Sequence, residues 1–138
     1  MKLELTTKEF RRLLDMVYIG NWVLNSTRGE DRFTDYDKVE SKLFDHARKN
    51  GMPTLAEDYQ GEVVPSKAFS DGGIHEAIAD YENNVFFEIL AEDLARRDME
   101  EANIDENNID ELANRIEAYI SEFEKHGTDN VLVDADIE

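Results

Sequence analysis

The chain has 138 residues, enough for one domain with an ordinary hydrophobic core, and it has no cysteine, which excludes disulfides and thiolate chemistry. Its net charge of −18 is divided unevenly: residues 1–50 carry ten basic and nine acidic side chains, whereas residues 51–138 carry five and twenty-four. So acidic a surface argues against binding to nucleic acid or to anionic membranes, and it favours basic protein partners or bound cations.

Composition also bears on fold class and location. The longest apolar run is four residues, so no membrane-spanning helix is expected, and residues 1–5 lead into no apolar signal segment. Two prolines and seven glycines are few breaks for a chain of this length, which favours long helices. We therefore predict a cytoplasmic, mainly α protein: a single-domain bundle of four or five helices over residues 1–138.

The first predicted helix begins at a capping box, with Thr6 at the N-cap and Glu9 three residues later. Apolar residues then recur with helical spacing as far as about Asn25. They cover so wide an arc that we expect this helix to lie at the centre of the bundle, with neighbours on two sides.

A second helix is predicted over about 35–50, with Gly51 favouring its end. The segment 51–70 holds both prolines of the chain, which interrupt any helix. We predict a long loop in this segment, with a short extended piece at 62–64.

The C-terminal half has further helical patterns. Residues 71–73 open a third helix, the pair at 83–84 either kinks it or caps a new one, and 85–99 is strongly apolar. A last helix follows the N-cap candidate Asn108 and ends before Gly127.

Short apolar segments at 3–5 and 131–133 could pair as a two-stranded β patch joining the termini. The predicted core consists of large apolar side chains on the inward helix stripes, namely Phe10, Leu14, Val17, Trp22, Phe44, Phe86, Leu90, Leu94, Ile116, Ile120 and Phe123.

Three residues are candidates for a metal site. His75 follows a glycine pair at a helix start, and Glu88 and Glu92 lie one helical turn apart on the same face. A solvated acidic face is the favoured alternative, because these side chains do not converge in sequence. No catalytic, phosphate-binding or cofactor motif occurs, so we expect no cofactor and a protein that is not an enzyme.

The cluster Tyr18-Ile19-Gly20-Asn21-Trp22 places a glycine and a polar amide inside an apolar helix. Glycine in a helix interior costs roughly 1 kcal/mol relative to alanine, which suggests a local reason for it. Two interpretations stay open: a tight helix crossing at Gly20, which we favour, or a small pocket formed by Tyr18, Gly20, Asn21 and Trp22.

The same stretch, from Phe10 to Asn25 with Tyr18, Gly20, Asn21 and Trp22, resembles the first helix of a small family of uncharacterised bacterial proteins of unknown function. The run from Phe86-Phe87-Glu88 to Arg97-Asp98 is similar to the apolar helix of that family. The resemblance implies a bacterial, mainly helical, single-domain protein and carries over no active-site residue.

The leading functional hypothesis is a non-enzymatic interaction or regulatory protein whose acidic surface binds a basic protein partner. The alternatives are a metal-binding or hydrolytic site on the acidic helices, and a protein that mimics DNA with ordered carboxylates. We also expect a homodimer through the near-neutral region 1–50, which carries apolar residues on more than one side of its first helix.

Overall fold

The computed structural model describes residues 1–100 and 103–137. The chain is 65% helical with a small two-stranded antiparallel sheet, so the predicted mainly α class is confirmed. Contacts divide the chain into two compact units, Met1–Ile78 and Ala79–Glu138, and each is described by itself. The single domain over 1–138 stays a prediction. None of the helices in the described ranges has the length and apolar character needed to cross a bilayer.

The first two helices lie where their sequence signals place them. Helix α1 spans Thr7–Asn25 and α2 spans Thr34–Lys49. The capping box before α1 is present: the Glu9 carboxylate accepts the Thr6 N–H at 2.8 Å, and the Thr6 hydroxyl accepts the Glu9 N–H at 3.3 Å. Both interactions satisfy donors that the helix start would otherwise leave unpaired.

The segment predicted as a long loop is instead a β-hairpin. Strand β1, Ala56–Tyr59, pairs antiparallel with β2, Glu62–Pro65. The two residues between the strands, Gln60 and Gly61, have φ of +50° and +82°. Positive φ at both central positions matches the right-handed twist of the strands and closes a two-residue turn.

A short β patch was therefore predicted correctly but placed wrongly. Residues 3–5 and 131–133, proposed as its two strands, lie in no strand, whereas the extended piece predicted at 62–64 belongs to β2. The hairpin prevails because a two-residue turn brings its strands together at little loop-closure cost, whereas pairing the termini would close a loop of well over one hundred residues.

Helix α3 is a single turn, Lys67–Phe69, and α4 spans His75–Asp98. Gly73, with φ of +102°, lies in the widened turn between them, where a side chain would be strained. Helix α4 continues through the asparagine pair at 83–84, so neither the kink nor the new helix start predicted there occurs.

Helix α5 spans Ile109–His126 and ends at Gly127, as predicted. Asn108 stands at its N-cap position, but its side chain accepts the Asp105 N–H at 2.8 Å rather than an N–H of the helix. The asparagine thus stabilises the turn leading into α5.

The core of the first unit is formed by α1, α2, the hairpin and α3. Leu14, Phe44 and Phe69 are at most 1% exposed, and the rings of the two phenylalanines meet edge to face with centroids 4.9 Å apart. Helix α2 packs against α1 and both strands of the hairpin. The prediction that α1 is central is therefore wrong: α2 contacts both α1 and the hairpin, whereas part of the apolar face of α1 is exposed.

Two residues predicted in the core are exposed. Trp22 keeps 37% of its surface accessible and Phe86 keeps 52%, whereas the other predicted core residues are buried or half-buried. Part of the wide apolar arc of α1 is also exposed, with Met16 at 70% and Val23 at 66%. Helical spacing shows which apolar side chains share one face of a helix, but it does not show whether another element covers that face.

The second unit contains most of α4 together with α5. Phe87 of α4 packs on Phe123 of α5 with ring centroids 5.3 Å apart. Ala91 and Ala95 are fully buried, and Leu112 is 4% exposed. Because alanine side chains are small, each of the two buries little apolar area.

Candidate functional site

A cavity of about 290 Å³ lies in the first unit, between the second half of α1, the first half of α2 and the segment that follows the hairpin. Aromatic, hydroxyl, amide and charged side chains line it together. The lining residues are Tyr18, Asn21, Trp22, Ser26, Arg32, Glu40, Pro65 and Ser70.

One wall of the cavity is held by two asparagines one turn apart on α1. The Asn25 amide, which is fully buried, donates to Asn21 Oδ1 at 2.7 Å and to the Phe33 carbonyl at 3.0 Å, and its Oδ1 accepts the Phe33 N–H at 2.8 Å. These bonds attach the loop before α2 to the end of α1. Because every polar atom of the Asn25 amide group finds a partner, the amide can be buried without a large penalty.

Arg32 and Asp37 form a two-bond ion pair beside this network. Arg32 Nε and Nη2 donate to the two Asp37 oxygens at 2.7 and 2.8 Å, and Asn21 Nδ2 donates to Asp37 at 3.0 Å. The hydrogen bonds from Arg32, aided by those from Asn21 and opposed by partial burial, hold the pKa of Asp37 below its usual range. Asp37 therefore stays ionised and neutralises the guanidinium.

Glu40 lines the same cavity but has no such partner. Burial, assisted by the nearby charge of Asp37, raises the pKa of the Glu40 carboxyl from 4.5 to about 7, while Asn21 and Arg32 oppose the rise. No ion pair to Glu40 is found within residues 1–100 and 103–137. A carboxyl with a pKa near neutrality can gain or lose a proton under physiological conditions.

Part of the cavity lining is aromatic, and this part, formed by Tyr18 and Trp22 of α1, is called the aromatic wall. Tyr18 and His75 share a hydrogen bond of 2.6 Å between the phenol oxygen and Nε2. The Trp22 ring lies edge to face with His75 at 4.8 Å and stacks against Tyr18 at 6.3 Å. Burial, and to a smaller extent the charge of Glu40, raises the pKa of Tyr18, while a hydrogen bond with Ser70 opposes the rise. Tyr18 therefore remains a neutral phenol.

The structure brings together some of the residues predicted for a site. Tyr18, Asn21 and Trp22 line the cavity, and His75 contacts two of them. Gly20 does not take part: a Cβ built there would meet no atom of the described chain within 4 Å. The favoured interpretation of a tight helix crossing at Gly20 is therefore wrong, and the cavity is consistent with the pocket interpretation.

The three metal candidates are divided between the two units, and their role as metal ligands stays a prediction. His75 belongs to the first unit, whereas Glu88 and Glu92 belong to the second. Glu92 forms an ion pair with Arg96 at 2.8 Å. Within the part of the chain that the structure describes, no three metal-ligating side chains form a group able to hold an ion.

Sequence reasoning missed Asn25, Arg32, Asp37 and Glu40. Asn21 and Asn25 are four residues apart, a spacing that places both amides on one face of α1, and this signal was available. The others lie on a loop and on α2, and no local pattern indicates that they face α1.

A second surface feature lies on α4 in the second unit. Tyr81, Val85 and Ile89 are spaced four residues apart and form an apolar stripe, the α4 stripe, on the helix face opposite Phe87. Tyr81 is 63% exposed and Ile89 is 56% exposed. At 100° per residue, exposed carboxylates lie on both sides of the stripe: Glu82 and Asp93 on one side, Glu88 on the other.

Comparison of the chain with family models, with curated proteins and with solved structures found no match. The resemblance to a bacterial family therefore remains an expectation, and the functional argument rests on the residues of this chain.

Proposed function

We propose that this protein is a non-enzymatic interaction protein that binds a basic protein partner, and that the α4 stripe is where the partner docks. The observation that supports the proposal is the α4 stripe, in which Tyr81 and Ile89 are exposed and Val85 is half-buried, with carboxylates on both sides. Its partner would be an amphipathic helix whose apolar face is flanked by lysine or arginine, because such a helix complements both the stripe and its charged borders.

The charge of the second unit supports the same partner. Residues 79–138 contain nineteen acidic and four basic side chains, a net charge of −15, whereas residues 1–78 contain fourteen and eleven, a net charge of −3. The three arginines of the second unit are paired with carboxylates of that unit, Arg96 with Glu92, Arg97 with Asp98 and Arg115 with Glu111. The carboxylates of this unit outnumber its basic side chains. The excess negative charge attracts a basic partner over a distance that salt shortens.

The test is binding of a basic amphipathic helical peptide, measured by fluorescence anisotropy at about 50 and about 500 mM salt. We expect strong weakening at the higher salt and loss of binding when Tyr81→Ser and Ile89→Ser are combined. The matched control is Tyr36→Ser, which changes an exposed tyrosine of the first unit. Absence of binding at low salt, or equal loss in the Tyr36 control, would contradict the proposal.

The same variants separate this function from mimicry of DNA. A protein that presents carboxylates in place of phosphates depends on charge and not on an apolar stripe. Binding that is salt-sensitive but unchanged by the combined Tyr81 and Ile89 substitutions would therefore favour DNA mimicry. The metal-binding alternative has no support from the described residues, which hold no three-ligand group.

We also propose that two copies associate through residues 1–50. Met16, Ile19 and Val23 lie on one face of α1, and each keeps 36% or more of its surface exposed. This region carries a net charge of +1, so two copies can meet there without strong repulsion. Sedimentation equilibrium at tens of micromolar, in salt that screens the charge, should show a dimer that Val23→Glu dissociates. A monomer of the unsubstituted protein under these conditions would refute the proposal.

A further inference from the structure

We propose that the cavity of the first unit is a binding site for a guanidinium group, either that of an arginine side chain or that of a small free guanidine. The inference does not depend on the proposed function, because the α4 stripe lies in the other unit. The argument uses the size of the cavity, its charge and its aromatic wall.

The size suits one functional group and not a large ligand. A cavity of about 290 Å³ is at the lower end of the range of ligand pockets, which begins near 300 Å³ for drug-sized molecules. The end of an arginine side chain fits a space of this size. The hydroxyl groups of Ser26 and Ser70 line the same space and supply further hydrogen-bond acceptors.

The charge of the cavity calls for a cation. Arg32 and Asp37 neutralise each other through two hydrogen bonds, so neither is available as a charge for a ligand. Glu40 is left as the one lining carboxyl without a counter-charge in the described residues. A cation beside Glu40 would stabilise its ionised form, which burial disfavours.

The aromatic wall selects a planar cation. Trp22 lines the cavity and is partly exposed, and tryptophan is the best aromatic partner for a cation. A guanidinium can lie over this ring and donate two parallel hydrogen bonds to Glu40, whereas an ammonium is a compact, strongly hydrated charge without a flat face. The same unit already contains two guanidinium groups over aromatic rings: Arg28 lies 4.2 Å from the Phe33 ring centroid, and Arg11 lies 4.9 Å from that of Phe69.

Binding would be coupled to a proton. With a pKa of about 7, a large part of the Glu40 population is protonated near pH 7, and a guanidinium binds the ionised carboxylate. Complex formation should therefore release a fraction of a proton at neutral pH and less as the pH rises. A site that did not involve Glu40 would lack this linkage.

The experiment uses the fluorescence of Trp22, the only tryptophan in the sequence, to report binding in the cavity. The full chain is titrated with methylguanidinium, with methylammonium and with N-acetyl-arginine methylamide. We expect a fluorescence change that saturates with the two guanidines and binding at least about tenfold weaker with methylammonium. Equal or tighter binding of methylammonium, or no saturable change with either guanidine, would overturn the proposal.

The ranking of the two guanidines identifies the source of the group. Tighter binding of the blocked arginine supports a polypeptide side chain, and tighter binding of methylguanidinium supports a free small guanidine. Because the cavity and the α4 stripe belong to different units, loss of peptide binding with intact guanidine binding would refute only the proposed function, and the reverse result would refute only this inference.

Two further measurements keep the inference falsifiable. Glu40→Gln keeps the shape of the side chain and should weaken methylguanidinium binding about tenfold, whereas Glu57→Gln, at an exposed position of β1, should leave it unchanged. Calorimetry of the unsubstituted protein at pH 7, in two buffers with different ionisation enthalpies, should show proton release. Unchanged affinity in the Glu40 variant would overturn the assignment, and so would the same heat in both buffers. The calorimetry uses the unsubstituted protein, so it remains a test even if the Glu40 variant fails to fold.

Discussion

The two units bury different kinds of residue. In the first unit the largest fully buried side chains are Leu14, Phe44, Phe69 and Asn25, joined by a ring contact and an amide network. In the second unit the fully buried positions are the alanines 91 and 95, and the larger apolar side chains of α4 are only partly covered. Because stabilisation follows the apolar area removed from water, Ala91 and Ala95 contribute less to their unit than Leu14, Phe44 and Phe69 contribute to theirs.

Charge follows the same division. The first unit carries a net charge of −3 and the second −15. Self-repulsion of this size disfavours a compact state, which is consistent with the thin core of the second unit. Most of the predictions below compare one residue type in the two units, in order of decreasing effect.

Phenylalanine in the core should differ most from phenylalanine on the surface. We expect Phe44→Ala to lower the free energy of unfolding by about 3–5 kcal/mol, because it leaves a cavity beside Phe69. Phe86→Ala should cost less than about 1 kcal/mol, because Phe86 is already half exposed. Urea denaturation measures both, and equal losses would show that the two units are not packed differently.

Asparagine gives the second comparison. Asn25→Ala should destabilise the protein by about 2–3 kcal/mol, because it leaves the N–H and the carbonyl of Phe33 without their partner. Asn84→Ala, at an exposed position in α4, should be neutral or slightly stabilising because alanine favours helix. Thermal unfolding, followed by circular dichroism, measures both variants. Equal melting temperatures would contradict a stabilising role of the Asn25 hydrogen bonds.

Glutamate gives a comparison that depends on pH. The folded-state pKa of Glu40, about 7, lies above its ordinary value of 4.5, so the folded protein holds this proton more tightly than the unfolded chain does. The resulting stabilisation is fully present below about pH 4.5 and is lost as the pH rises through about 7. Glu40→Gln should therefore be more stable than the unsubstituted protein at pH 8, and this difference should shrink towards pH 4.5.

The measurement is the urea midpoint of the unsubstituted protein and of Glu40→Gln between pH 4.5 and pH 8. A difference between the two proteins that stayed constant over this range would show that Glu40 does not titrate in it.

Arginine should show the smallest effect. Arg32→Gln should cost about 1 kcal/mol, because it removes two hydrogen bonds from the partly buried Asp37 and one from the Asn25 carbonyl. Arg115→Gln removes an exposed pair with Glu111 and should be indistinguishable from the unsubstituted protein in the same denaturation assay. A larger loss at Arg115 would mean that the ion pairs of the second unit carry its stability.

Local chemistry was sufficient to determine where α1, α2 and α5 lie. The capping box at Thr6 and Glu9, the glycine after α5 and the 3.6-residue period act within one or two turns, so the sequence alone predicted α1, α2 and α5 to within about two residues. The hairpin was missed because Gln-Gly is a weaker turn signal than Asn-Gly or Asp-Gly. The uneven charge could likewise be read from the sequence directly.

Only the tertiary structure decided which apolar faces are covered and which polar residues meet. Trp22 and Phe86 have the spacing of core residues, yet no described element covers them fully. Glu40 has a raised pKa because α1 and α2 together shield it from water, and no residue adjacent in sequence could produce that effect. Burial and convergence depend on contacts between elements distant in the chain, whereas capping and periodicity depend on neighbours, and this difference sets the limit of what the sequence alone determines for this protein.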